Sequence, residues 1–128
     1  MRLLLDTHIW FWLASDITRL GKRALQELTN PSNELWLSPI STWELLTLHS
    51  KGRVRFSGDA QSWLTKAKLG TREALLTHEI ALAAAQFQMH RDPADRFLAA
   101  TAKVLDLTLV TADEKLLGLG IIRSLANR

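Results

Sequence analysis

Short apolar runs that stop at a polar residue, separated by longer helix-type segments, constrain this chain most. Arg2-Leu3-Leu4-Leu5 is the first, cut off at Asp6, and reads as a short buried strand. Glu34 to Leu37 is a second, Glu73 to Thr77 a third, Leu107 to Thr111 a clear β-type run, and Ile121 to Leu125 the last. Between them lie helical stretches: Thr7 to Leu13, an amphipathic Thr18 to Thr29, and a segment opened by Ser38-Pro39 that runs toward Lys51. Serine caps well and proline tolerates the first helical position, while Gly52 supplies the stop. Asp59 to Leu69, the alanine-rich Glu79 to Met89, and Asp92-Pro93 to about Asp106 add three more helices, and a short one follows Asp113. Asn30-Pro31-Ser32-Asn33 is a turn, and Arg53 to Gly58 has no clear pattern. Strands alternating with helices specify a parallel sheet covered on both faces, whose ligands collect at the carboxyl ends of the strands.

With 128 residues and neither a repeat nor a Pro/Gly-rich linker, one domain over residues 1–128 is expected. Hydrophobic residues at 47% and charged residues at 23% exclude a disordered chain. Apolar runs fall far short of the ~18–20 residues of a membrane helix, and no secretory signal is visible, so a cytoplasmic protein without membrane contact is expected. The absence of cysteine removes disulfides, thiol nucleophiles and thiolate metal sites. A net charge of +3 permits a polyanionic partner without requiring one.

Acids at element ends carry the chemistry. Asp6 and Asp113 follow the first strand and the Leu107–Thr111 strand, so both should reach the crevice. Each also has a capping role open to it. Asp6 can cap the turn after it, Asp113 a short helix, and Asp92 with Asp95 the helix that Pro93 opens. Glu44 lies deeper in its helix, between Trp43 and Leu45, where capping does not explain it. A carboxylate against apolar walls needs a partner, and a cation is one such partner. An exposed stripe beside the tryptophan is the other reading. Oxygen-only ligands suit Mg²⁺ or Mn²⁺; the dispersed His8, His49, His78 and His90 lack zinc-type pairing, although His8 can face the same crevice as Asp6. Most of the five tryptophans are expected in the core.

Four blocks then carry a family resemblance. Leu3-Leu4-Leu5-Asp6-Thr7-His8 resembles the opening of PIN domains, in the branch of the VapC toxins of toxin–antitoxin pairs. Ser38-Pro39-Ile40-Ser41-Thr42-Trp43-Glu44-Leu45 resembles the second block, His90-Arg91-Asp92-Pro93-Ala94-Asp95-Arg96-Phe97-Leu98 the third, and Leu109-Val110-Thr111-Ala112-Asp113 the fourth. Together they run in order along essentially the whole chain. Ala94 departs from the bulky residue common in this branch, which touches packing rather than chemistry. The resemblance implies a PIN-like three-layer α/β sandwich with about five parallel strands. It implies a Mg²⁺- or Mn²⁺-dependent endoribonuclease, the toxin of a pair, that forms homodimers and is silenced by a cognate antitoxin. Asp6, Glu44, Asp95 and Asp113 fall on the four acidic positions that are both catalytic and metal-holding. Thr7 and Thr111 fall in supporting places, Arg96 and Lys51 are candidates for holding the RNA backbone, and Asp92 stays a cap. Two other functions compete: a receiver-like phosphoacceptor module, which needs adjacent acids after the first strand, and a non-catalytic RNA-binding relative.

Overall fold

The computed structural model describes residues 1–87 and 92–128. Its strands are β1 (Arg2–Leu5), β2 (Glu34–Leu37), β3 (Thr71–Glu73), β4 (Thr108–Thr111) and β5 (Arg123–Ala126). They form one sheet in the order β3-β2-β1-β4-β5, with every neighbouring pair parallel. Helices α1 (Thr7–Ser15), α2 (Lys22–Leu28), α3 (Pro39–Ser50), α4 (Ala60–Ala67), α5 (His78–Gln86), α6 (Pro93–Val104) and α7 (Glu114–Leu117) flank it.

The triple leucine of β1 is buried on both sides, which is why it shows no polar alternation. Successive side chains point to opposite faces, and the cores divide accordingly. Leu4 and Leu109 join Ile80, Leu98 and Leu116, from α5, α6 and α7. Leu3, Leu5 and Val110 join Ile9, Trp10, Leu28 and Leu45, from α1, α2 and α3. The result is the three-layer α/β arrangement expected. From β1 the chain steps outward to β2 and β3, then returns to β1's other side for β4 and β5. The strand order therefore reverses between β1 and β4, and a crevice opens at their carboxyl ends.

Three elements differ from expectation. The helix expected over Thr18–Thr29 is instead a single 3-10 turn at Ile17–Arg19, followed by α2. Asp16 caps that turn by accepting from the Thr18 amide, and the far end of the chain then occupies the gap. Gly21 donates its amide to Asn127 Oδ1 at 2.7 Å, and Ala24 donates to the Arg128 carbonyl at 3.0 Å. A Cβ on Gly21 would meet the Arg128 backbone at 1.9 Å. The third strand lies at Thr71–Glu73 rather than Glu73–Thr77, because Thr77 leaves the sheet to cap α5 through the Ile80 amide. Gly70, at φ 80°, turns the chain into that strand. The last strand is shifted to Arg123–Ala126. The alanine-rich helix ends at Gln86; Met89, like His90 and Arg91 of the third sequence block, lies outside the described residues.

Gly21→Ala should therefore lower stability by about 1–3 kcal/mol, since one added carbon overpacks a filled site. In a chain shortened by Asn127 and Arg128, the same substitution should cost little further. Thermal or urea unfolding of the two singles and the double reads this, and additive losses would contradict it.

Candidate active site

Asp6 stands where β1 ends, and its own backbone continues the pairing with β4 through a bond to the Val110 carbonyl at 3.0 Å. Its carboxylate is held from two sides. Oδ1 accepts from the Thr7 amide at 2.7 Å, which caps α1, and Oδ2 accepts from the Thr111 hydroxyl at 2.6 Å. Thr111 is fully buried at the end of β4 and also accepts from the Asp113 amide at 3.0 Å. One hydroxyl thus ties the first acid to the last across 105 residues of chain.

Glu44 comes from the middle of α3. Its Oε1 accepts a hydrogen bond from the hydroxyl of the fully buried Thr7. Glu44 is half-buried rather than part of an exposed stripe, whereas its neighbour Trp43 is 61% exposed. Of the other tryptophans, Trp10 is buried and Trp12, Trp36 and Trp63 pack half-buried against the cores. From α6, Asp92 caps the helix through the Ala94 amide at 2.9 Å, and Asp95 occupies the first turn. Asp113 caps α7 through the Lys115 amide at 2.8 Å. Capping and crevice are not alternatives here. Seating the acids at helix starts delivers them to the pocket, and the amide donors and helix dipoles offset part of their mutual repulsion.

Asp6, Glu44, Asp95 and Asp113 all line one cavity of about 430 Å³, together with Asp92, His8, Trp12 and Ala112. His8, Asp92 and Trp12 are additions to the four acids. The position of His8 just past Asp6 was the only sequence signal for it, and Trp12 follows one helical turn later. Neither Arg96 nor Lys51 lines this cavity. Lys51 ends α3 on the exposed surface and Arg96 is half-buried on α6.

Burial and mutual proximity both act on the protonation of these acids. Burial pushes the Asp95 carboxyl up from 3.8 to about 7, with Asp92, Asp6, Asp113 and Glu44 all adding repulsion. Burial also raises Asp6, opposed by the Thr111 and Thr7 hydrogen bonds and by His8. Glu44 is raised by burial, against the Thr7 hydroxyl, with Asp6 and Asp92 pushing the same way as burial. Among the described residues, no three histidine, aspartate or glutamate side chains are already drawn together to hold a metal ion. The carboxylates line the cavity wall.

The sign of the Asp95 shift has a consequence for stability. Between the ordinary value of 3.8 and about 7, the folded protein keeps a proton that the unfolded chain has lost. The contribution is fully present below 3.8 and is lost as pH rises through 7. With chelator present, the melting temperature should fall across that window, and Asp95→Asn should flatten part of the fall. An unchanged slope in the variant would show that Asp95 is not the group responsible.

A model of the PIN domain family matches residues 3–120. Over 115 residues the chain is 32% identical to Ribonuclease VapC22 of Mycobacterium tuberculosis, covering 88% of each protein. Among solved structures, VapBC2 from Rickettsia felis, bound to a DNA fragment from its promoter, superposes with a TM-score of 0.75 at 16% identity over 98% of both chains. VapBC-1 from nontypeable Haemophilus influenzae gives 0.68 at 19% identity, again over 98% of both chains. Identities this low speak for the fold, which is thereby the α/β sandwich of those structures. The receiver-like alternative loses its ground, because the sequence match runs from inside β1 to the turn before β5 and takes in all four acids. The chain belongs to the PIN domain family.

Proposed function

We propose that this chain is a divalent-metal-dependent endoribonuclease, one domain over residues 1–128, acting in the cytoplasm as the toxin of a toxin–antitoxin pair. The observation that carries the reading is one cavity lined by four carboxylates drawn from four separate parts of a PIN domain. The relative named as a ribonuclease and the structural neighbours solved as VapBC proteins support it. By the same analogy the chain forms a homodimer and is bound by a cognate antitoxin.

The donor chemistry fits a hard cation. All four acids offer oxygen alone, and the repulsion that raises Asp95 is relieved by positive charge in the cavity. Asp6, Asp95, Asp113 and Glu44 would hold Mg²⁺ or Mn²⁺, which would acidify a water and neutralise charge developing on the phosphate. The chain's own residues do the rest. Thr111 and the Thr7 amide fix the Asp6 carboxylate, so its orientation does not depend on substrate. Thr7 engages one oxygen of Glu44, and the other orients the attacking water. Attack of the water oxygen on phosphorus expels the 3′-oxygen in line, leaving a 5′-phosphate and a 3′-hydroxyl. Four intact acids favour cutting over binding alone.

Sequencing cellular RNA ends after expression tests this. The natural protein should arrest growth and generate new 5′-phosphate ends, and Asp6→Ala should do neither. Equal cutting by both would remove Asp6 from the mechanism. Thr111→Val should lower cleavage about 10- to 100-fold and raise the Mg²⁺ concentration needed for half-maximal rate, with Thr111→Ser restoring both. A loss of rate at unchanged metal dependence would limit Thr111 to a structural part.

A further inference from the structure

A second cavity, of about 400 Å³, adjoins the acid pocket and shares His8 and Trp12 with it. The two abut at these side chains and make up a trough that is acidic at one end. The far end is basic: Arg19, Arg53 and Arg55 line it, and none makes an ion pair among the described residues. Asp16 also lies on that wall, its carboxylate engaged by the Thr18 amide and hydroxyl. Trp12 stands at the junction, with the Arg19 guanidinium 5.4 Å from its ring centroid and the His8 ring tilted against it at 5.6 Å.

The backbone that carries Arg53 and Arg55 is held in place. Arg53 donates its amide to the Leu48 carbonyl at 2.9 Å, and His49 Nδ1 lies 3.2 Å from the Val54 carbonyl. Phe56, between them and α4, is stacked on both sides, on His49 at 4.1 Å and on Trp63 at 4.7 Å. Trp63 in turn packs against Trp10 and Phe11 of α1. Cations in a trough beside an aromatic are the chemistry of a nucleic-acid strand, with phosphates meeting guanidinium groups and a base meeting a π surface.

We propose that a single-stranded segment of RNA leaves the acid pocket along this trough, one base packed against the Trp12–Arg19 pair and the adjoining phosphates neutralised by Arg53 and Arg55. The inference rests on the ribonuclease reading of the acid pocket and adds the route of the substrate and the residues that line it. A duplex keeps its bases stacked on one another and offers none to Trp12, so single-stranded loops and ends are selected.

The test uses a fluorescent, unstructured RNA of roughly 10 nucleotides, bound in EDTA and titrated from about 50 to about 200 mM salt. Each lost phosphate contact on a single strand removes about 0.7 from the slope of log affinity against log salt, so Arg53→Gln/Arg55→Gln should be shallower by about 1.4. Trp12→Ala should weaken binding by roughly 5- to 150-fold, and Trp12→Phe, which keeps an aromatic in the core contact, should recover most of it. A duplex RNA of the same length should respond to neither Trp12 variant. An unchanged salt slope, or Trp12→Ala binding like the natural protein while Trp12→Phe does too, overturns the proposal and leaves the trough to a protein partner. Equal sensitivity of the duplex overturns the single-strand assignment. The two readings fail separately: RNA bound as expected but uncut in Mg²⁺ sinks the nuclease alone, whereas cutting indifferent to Trp12, Arg53 and Arg55 sinks the trough alone.

Discussion

The pairing of β1 with β4 is the constraint on which the rest depends. It sets Leu3 beside Thr108 and Leu5 beside Val110, so that the two strands end level. Asp6 extends the ladder by one bond, and the Thr111 hydroxyl closes on its carboxylate. A slip of one residue would turn Leu3 and Leu5 into the opposite core and carry Thr111 to the wrong face. The apolar packing that holds the register also aims the acids, so stability and chemistry share one determinant.

The acids themselves work against the fold. Carboxylates that raise one another toward neutrality are a net burden on the folded chain. Three local devices limit it: helix starts under Asp6, Asp92 and Asp113, threonine hydroxyls on Asp6 and Glu44, and the His8 ring nearby. Thr7 and Thr111 are the least replaceable of these, because both are wholly buried and each donates to a carboxylate of the pocket.

Much of this was legible in the sequence, where local pattern and global fold agree. The Leu3–Leu5 run, the Ser38-Pro39 and Asp92-Pro93 helix starts and the Leu107–Thr111 run all specify their elements through nearby residues alone. Asp6, Asp95 and Asp113 stand at strand or helix ends that local pattern marks, while Glu44 stands out as an acid inside an apolar helix. What escaped depends on distant partners. The break at Gly21 follows from the arrival of Asn127 and Arg128, and no window around Gly21 contains that information. Ala74-Leu75-Leu76 reads as strand, yet only Ala74 is buried and Thr77 is taken by a helix cap. Arg53 to Gly58 showed no period because its order comes from a stack of rings, Phe56 between His49 and Trp63. The Thr7–Glu44 bond, spanning 37 residues, likewise has no local trace.

That the central strand finds one neighbour only 105 residues further along the chain also governs when the acid pocket comes into being. During synthesis β1 emerges first and can pair with β2, but Asp6 lacks the Val110 carbonyl and the Thr111 hydroxyl until β4 is made. Long-range parallel pairing is slow to close as well. A ribosome stalled before β4 would thus carry a nascent chain with no organised acid pocket. For the ribonuclease proposed above, the topology itself delays the hazard until β4 has been made.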